Sequence, residues 1–413
     1  MANLFSKSNS STLVPAQRCH GCDLTVEQAE VLSGYVSSCP RCGTTLQRGK
    51  SVNLNGNLAI AVAALLLFIP SHFFPLMTID LFGVMIPATL PSGTITLMTD
   101  GFPLLGLLIL LCSSIAPFLV CSSVLTAHWA TRYNKFLMFK YSMFLIERFR
   151  GWVMLDVFLV GLAISAIKML DVADIYVGTG LSGLILLQLV TSLLLTRIHI
   201  QQYWNNWQAH ATQSNDAIDM HCLHCHLSQP HNSHCIRCHT KLIHRKKHSV
   251  QKTWACLIAA TISLFPANFF AISIFFNHGK RVEDTIFSGV VSLIRDDMSG
   301  IAAIIFIASI IVPVTKILGL SYILLCIQFK RSVFHRQRMF IYSAVKWIGK
   351  WSVMDLFVIS IMMALIDRGQ ILDFTPGSGA IAFAFVVVLT MLATESLDSR
   401  LIWENYEQSE PSR

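Results

Sequence analysis

Apolar residues in this chain gather into eight long runs, about 54–77, 102–129, 151–170, 180–200, 253–276, 299–327, 348–367 and 377–397, separated by short polar stretches. A helix that crosses a bilayer needs about 20 predominantly apolar residues, so each run reads as a transmembrane span. The short alternating segments of a membrane β-barrel are missing. The leading stretch MANLFSKSNSSTLVPAQ is polar and holds no apolar signal-peptide core. Composition points the same way: 54% of residues are hydrophobic and only 13% charged, against about 25% charged in soluble domains.

Lysine and arginine are distributed unevenly between the runs. They crowd segments 1–53, 130–150, 201–252 and 328–350, whereas 78–101 and 171–179 have none and 277–298 balances three against four acids. The positive-inside rule then places both termini and the 201–252 loop in the cytoplasm. The net charge of +8 is this bias, and nucleic-acid binding is not expected from it.

The two halves of the chain align when residues 196 to 203 apart are paired. CHGC (19–22) matches CLHC (222–225), CPRC (39–42) matches CIRC (235–238), and FIPSHFF (68–74) matches LFPANFF (264–270). CSSIAP (112–117) matches ASIIVP (308–313), and WVMLDVF (152–158) matches WSVMDLF (351–357). Four spans per half is an even number, so both halves enter the membrane from one side and the repeat is parallel. Parallel repeats occur in transporters. The expected fold is an all-α polytopic membrane protein of eight helices in two four-helix repeats, each preceded by a cytoplasmic zinc ribbon. The expected segments are a ribbon at 1–53, helices at 54–200, a ribbon and basic linker at 201–252, helices at 253–400 and a cytoplasmic tail at 401–413.

Cys19, Cys22, Cys39 and Cys42 read C-x2-C-x16-C-x2-C, within the spacing of a tetrahedral four-cysteine zinc site. Cys222, Cys225, Cys235 and Cys238 keep both pairs with nine residues between them, amid His221, His224, His226, His231, His234 and His239. A histidine in place of one of these cysteines stays open. Disulfides are not expected on the cytosolic side, and a redox dithiol needs no second pair at ribbon spacing. Four thiolates leave no open metal position for hydrolysis, so two structural Zn2+ ions are expected. Cys112, Cys121, Cys256 and Cys326 lie in spans and read as apolar filler.

Ionisable residues inside the spans are the other candidates. They are Lys316, the repeat-related Asp156 and Asp355, and Lys168 with Asp171 near the outer face. Lys316 lies 12 residues before Gln328, about 18 Å along a helix, too far for comfortable snorkelling. Its counterpart in the first half is Val120, so the repeat architecture does not require a cation there. Asp355 is the expected counter-charge, with Ser309, Ser352 and Thr390 as relays. Asp156 and Asp355 also fit an interfacial role beside Trp152 and Trp351, and Lys168 with Asp171 fits a surface ion pair. Pro70, Pro75, Pro117, Pro266 and Pro313 are positioned to kink helices.

FPANFF, DTIFSG, ASIIVPVTK, KWIGKWSVMDLFV and LDSRLIW, together with the paired CxxC ribbons, resemble the paraquat-inducible protein A family, nearest its LetA (YebS-like) branch. The resemblance covers nearly the whole chain. It implies a bacterial inner-membrane subunit paired with a LetB-like, periplasm-spanning MCE-domain protein, passing phospholipids to or from that tunnel. No Walker A motif is present, so an energy source would be external or a gradient. Proton coupling through Lys316 and Asp355 is the expected mechanism. The alternatives are a non-transporting anchor or gate for the MCE protein, and a zinc or thiol stress sensor. An enzyme is not expected, because no nucleophile–base pair or open metal site is evident.

Overall fold

The computed structural model describes residues 16–27, 31–32, 34–49, 54–81, 84–169, 174–207, 220–277, 280–295, 297–331, 334–366 and 373–404. The chain forms two units, one from the described parts of Met1–Val52 and His199–Arg245, the other from Asn53–Ile198 and Lys246–Arg413. Both cysteine-bearing segments fall in the first unit and both halves of helices in the second.

In the first half of the helical unit, α1 (Leu54–Phe73), α2 (Leu90–Thr99) and α3 (Pro103–Leu110) are followed by a π turn (Leu111–Ile115). Then come α4 (Ala116–Arg132), α5 (Phe136–Phe149), α6 (Leu155–Met169) and α7 (Thr179–Arg197). Helix α8 (Ile200–Trp207) belongs to the first unit. The second half runs α9 (Ser249–Phe269), α10 (Ile286–Arg295), α11 (Ser299–Phe306), a π turn (Ile307–Ile311) and α12 (Val312–Gln328). It ends with α13 (His335–Ile348), a 3-10 turn (Gly349–Val353), α14 (Met354–Ile366) and α15 (Ser378–Ser396).

Helices thus lie over all eight expected runs, but five among the described residues are long and apolar enough to cross a membrane. These are Leu54–Phe73, Pro103–Arg132, Thr179–Arg197, Ser299–Gln328 and Ser378–Ser396. Helices α6 and α14 have 15 and 13 residues, about 22 and 20 Å at 1.5 Å per residue, short of a roughly 30 Å hydrocarbon core. The basic segments 130–150 and 328–350 are largely helical as well. In them α5 folds back along α4, joined by a Thr126–Ser142 hydroxyl bond of 2.8 Å, and α13 folds back along α12.

The all-α expectation needs a second amendment. Strands Met77–Leu81, Val84–Ala88 and Asp174–Val177 form an antiparallel sheet with Met77–Leu81 in the middle. Ser273–Asn277, Lys280–Asp284 and Asp373–Pro376 repeat it in the second half. Each run is too short to register among 20-residue apolar stretches. The third strand of each sheet leads into α7 or α15 through a glycine pressed against the chain leaving α1 or α9. A Cβ on Gly178 would lie 2.0 Å from the Pro75 carbonyl oxygen, and one on Gly377 2.0 Å from that of Ala271.

Proline explains the π turns. Pro117 and Pro313 lack an N–H, and their rings clash with the carbonyl four residues back, at Ser113 and Ser309. One extra residue in the turn absorbs the clash. Both serines turn their hydroxyls onto their own helix, Ser113 to the Ile109 carbonyl at 2.8 Å and Ser309 to that of Ile305 at 2.7 Å.

The two halves meet through α6 and α14. Phe158 and Phe357, repeat-related residues, touch edge to face with centroids 5.3 Å apart, and Gly161 leaves room for Phe357. At the end opposite the sheets, the Glu395 carboxylate of α15 accepts from Arg148 and from the Trp152 indole at 3.2 Å, both in the first half. Just beyond, buried Asp398 holds buried Arg400 through two side-chain bonds of 3.0 and 3.2 Å. It also takes the Lys246 backbone N–H at 3.2 Å, and its own N–H reaches Ser249 Oγ at 2.9 Å. This knot ties the start of α9 to the end of α15.

Burial alone would raise the Asp398 carboxyl, but Arg400's hydrogen bonds and charge, with the Lys246 N–H, hold it below its ordinary value. A depressed folded pKa means that the stabilisation is complete at neutral pH and is lost only as acid titrates the folded carboxylate. Asp398→Ala leaves Arg400 buried without its carboxylate and is expected to cost about 3–5 kcal/mol. Unfolding scans will show that loss at pH 7, and the gap to the parent protein closing in strong acid. Gly178→Ala and Gly377→Ala are each expected to lose about 1–3 kcal/mol through overpacking, whereas Gly289→Ala, with open space around it, keeps the parental melting temperature.

Candidate functional site

Two kinds of polar centre stand out: cysteine clusters in the first unit and buried hydrophilic groups among the helices of the second.

Four copies of one turn build the clusters. Backbone N–H groups of Asp23, Gly43, His226 and His239 donate to the carbonyls of Cys19, Cys39, Cys222 and Cys235, at 2.8 to 3.1 Å. All four donors have φ between 54° and 72°, the left-handed region in which the chain reverses tightly enough to aim both thiols of a pair inward. Sγ atoms approach at 3.5 Å for Cys19–Cys42 and 3.6 Å for Cys22–Cys39. In the second cluster the spacings are 3.5 Å for Cys222–Cys238 and 3.4 Å for Cys225–Cys235. Sulfurs around a tetrahedral ion with 2.3 Å bonds stand about 3.8 Å apart, so both clusters fit a metal ion closely.

Hydroxyls of Thr44 and Thr240 sit 3.0 and 2.9 Å from Cys42 and Cys238 Sγ, placed to donate to a thiolate. Bonding to the neighbouring thiols Cys19 and Cys42, together with burial, pushes the Cys22 thiol far up. Bonds from Cys19 and Cys22 hold Cys42 far down. Sulfurs this close divide into proton-holding and proton-free partners unless a cation draws them all. The second cluster brings four cysteines together, with no histidine of the described residues among them. His221 and His226 instead lie beside the cluster, with Nε2 and Nδ1 3.2 Å apart.

Within the helices, Lys316 is 1% exposed. Its Nζ donates to Ser352 Oγ and Thr390 Oγ1, both at 3.0 Å, with the Gly349 carbonyl at 3.5 Å. Three elements supply these partners: α12 the lysine, the 3-10 turn Ser352 and Gly349, and α15 Thr390. Thr390 spends its own proton on the Val387 carbonyl at 3.0 Å and so presents a lone pair to the lysine. The structure therefore joins Lys316, Ser352 and Thr390, as the sequence suggested, and separates Asp355 from them. Asp355, one turn past Ser352 and half-buried, is not among the partners of Nζ, and neutral oxygens replace the expected counter-charge.

The lysine stem is covered by a neighbouring helix: Gly319 faces Val345 and Ile341, and Gly349 lies against the stem, because α13 runs back along α12. Lys346 and Lys350 flank Gly349 in sequence. Ser309, two turns before Lys316, bonds only its own helix. Asp156 is half-buried and makes no hydrogen bond or ion pair among the described residues, while the Trp152 indole goes to Glu395. Asp171 and the side chain of Lys168 lie outside the described residues.

The repeat sharpens the lysine site. Val120, Val153 and Thr191 occupy the places of Lys316, Ser352 and Thr390. Two of three polar residues become valine together, and the buried Thr191 hydroxyl is left without a hydrogen-bond partner. Sequence reasoning missed a second buried group, in which His72 Nε2 and Ser114 Oγ are 3.0 Å apart. The pairing of FIPSHFF with LFPANFF carried its signal, a histidine matched to Asn268. At the sheet end, a narrow, partly open crevice lies between the halves, lined by Leu76, Met77, Leu90, Phe158, Leu162 and Ile361, with Thr89 and Ser360 as polar members.

The model of the family described as "Paraquat-inducible protein A" matches residues 54–208 and again 250–407. The chain belongs to this family. Both matches of this paraquat-inducible protein A model fall on the helical halves and leave the cysteine clusters outside. The chain is 38% identical, over 95% of its length and 92% of the relative's, to lipophilic envelope-spanning tunnel protein A of Escherichia coli K12. It is 32% identical to a probable intermembrane transport protein of Haemophilus influenzae, over 95% of this chain and 96% of that one. It is 28% identical to the intermembrane transport protein PqiA of E. coli K12, with the same coverage. No solved structure matches.

If both clusters are metal centres held by sulfur alone, elemental analysis of the purified protein finds two metal equivalents per chain, one for each cluster. Cys225→Ser is expected to lose one of them, and the pair His224→Ala and His234→Ala to lose neither.

Proposed function

We propose that this family member is the membrane subunit of an intermembrane lipid transport system. It lies in a bacterial inner membrane, with its termini and cysteine modules in the cytoplasm and Zn2+ in both clusters. Eight spans then form two parallel repeats about an axis between α6 and α14, where the repeat-related Phe158 and Phe357 meet. The partner is an MCE-domain protein that spans the periplasm, and the cargo is phospholipid. Support comes from relatives whose names state intermembrane transport.

The observation that carries the mechanism is the lysine without a carboxylate. A buried ammonium has to be satisfied by hydrogen bonds, and Lys316 has three oxygens for its three protons. When one proton leaves, the amine gains a lone pair and the Ser352 hydroxyl can reverse to donate to it, so both states are satisfied by one rotation. That is a proton-exchange site built from neutral relays. It replaces the Lys316–Asp355 pair as the route by which a proton gradient would drive lipid transfer. The second half alone contains it, as expected of a working site rather than a scaffold.

Lys316→Met keeps the volume and removes the proton. It is expected to leave folding and complex assembly intact while abolishing lipid transfer, measured as movement of labelled phospholipid from inner-membrane vesicles. Val120→Met, at the matching position of the other half, should be close to neutral. Full transfer by Lys316→Met would sink the proton-exchange mechanism and favour a non-transporting anchor that docks the tunnel.

A further inference from the structure

Alongside Lys316, α1 of the helical unit buries an ionisable group among polar partners, and the function proposed above makes no use of it. His72 lies near the sheet end of α1, 6% exposed, with its ring stacked on Phe68 at 3.6 Å. Nδ1 is 3.0 Å from the Phe68 carbonyl. Nδ1 is also 2.9 Å from Ser71 Oγ, which donates its own proton to the Phe68 carbonyl at 3.0 Å; with both neighbouring oxygens then accepting, Nδ1 carries a proton. In the neutral ring Nε2 is then an acceptor, and the group facing it is the Ser114 hydroxyl at 3.0 Å. Ser114 lies in the π turn that Pro117 imposes, next to Ser113, with 3.4 Å between the two oxygens. The Ser113 proton is already given to the Ile109 carbonyl at 2.8 Å.

We propose that His72, Ser114 and Ser113 form a second proton-exchanging centre, located in the first half of the membrane unit. A proton arriving at Nε2 converts it from acceptor to donor. The Ser114 hydroxyl must then turn away, and Ser113 Oγ is the oxygen beside it. One O–H rotation carries the cluster between two hydrogen-bonded states, with no bond made or broken apart from the transferred N–H. The two serines sit where the helix has already given up regular bonding, so the rotation acts on its least constrained turn.

The repeat argues that this is more than local satisfaction. In the second half the same places hold Asn268 and Ile310. Asn268 donates to the Leu264 carbonyl at 2.8 Å, the bond equivalent to that of His72 with Phe68. An asparagine therefore suffices for the structural task, and histidine adds only the nitrogen that reaches Ser114. The two residues change together, just as Lys316 and Ser352 change together into Val120 and Val153. Lys316 thus has no equivalent in the first half, and His72 with Ser114 has none in the second.

No other charge confuses the site. Helix α1 has no acidic, lysine or arginine side chain, and it packs on α7, α4 with its π turn, and α2. The titratable groups on those elements are the buried thiols Cys112 of the π turn and Cys121 of α4, neutral apolar filler, and Arg197 of α7 with His128 and Arg132 of α4, these three within the last turns of their helices, away from Ser114. Asp80 and Asp174 lie on the neighbouring sheet.

The inference rests on the transport reading, and two measurements separate them. Full-length protein with 15N-labelled histidine, in phosphatidylethanolamine–phosphatidylglycerol nanodiscs, is titrated over about pH 5 to 8, the range of an imidazole switch. The His72 ring signals are those lost in His72→Asn. They should pass reversibly from the Nδ1-protonated neutral ring to the doubly protonated one, and Ser114→Ala should shift that midpoint. Transfer of labelled phospholipid is then compared between the parent and His72→Asn/Ser114→Ile, which installs the other half's own residues and so preserves packing. Loss of transfer in this double variant, with assembly and Lys316 untouched, supports the proposal. A ring that never titrates, or a double variant that transfers lipid with the parental pH profile, overturns it. A parent protein that moves no lipid overturns the transport reading instead, and the titration alone then decides the proton switch.

Discussion

An apolar interior leaves a backbone N–H or carbonyl only one kind of partner, another group of the same chain, and this protein places a proline in the middle of each of its two 30-residue helices, Pro103–Arg132 and Ser299–Gln328, under that constraint. Each proline removes a donor and displaces a carbonyl. The π turns at 111–115 and 307–311 and the serine hydroxyls bonded to Ile109 and Ile305 are the response. They loosen the helix at one level and bring hydroxyls there. Chemistry follows nearby: Ser114 takes up His72 in one half, and Lys316 lies a turn beyond the bulge in the other.

Comparing the halves separates architecture from use. Sheets, π turns, helical hairpins and the glycines at 178 and 377 recur, so the fold demands them. Lysine, its serine, histidine and its serine do not recur, and each is replaced by apolar or amide residues that fill the same space. Thr191 shows the cost of partial replacement. It retains a hydroxyl whose lysine partner is absent and has nothing to bond.

Much of this was legible in the sequence. The eight apolar runs, the cysteine spacing and the Lys316–Ser352–Thr390 grouping follow from hydropathy, ligand spacing and helical geometry. The counter-charge was misjudged because sequence reasoning seeks a carboxylate for a buried lysine, whereas three neutral oxygens meet the same need. Residues counted to the end of α12 gave no sign of α13 folded back along it. Helices α5 and α13 hid in segments whose arginines and lysines resemble loops. Glu395, which joins the halves, gives no local signal, since its partners are some 240 residues away. The LDSR stretch was visible as a motif, but only the structure shows Asp398 and Arg400 closing on each other.

The small sheets have a mechanical consequence. In each half the third strand pairs with the strand that leaves the first helix, so the beginning and end of that half are sewn together at one end. A chain closed in this way resists being pulled apart from within, and strain applied to it passes to its boundary. At the other end the halves are joined by one carboxylate, shared between an arginine and a tryptophan. Each half is therefore closed by backbone pairing, whereas the seam between them is made by side chains, with α14 packed on α6, α2 and α3 and Glu395 shared at the far end.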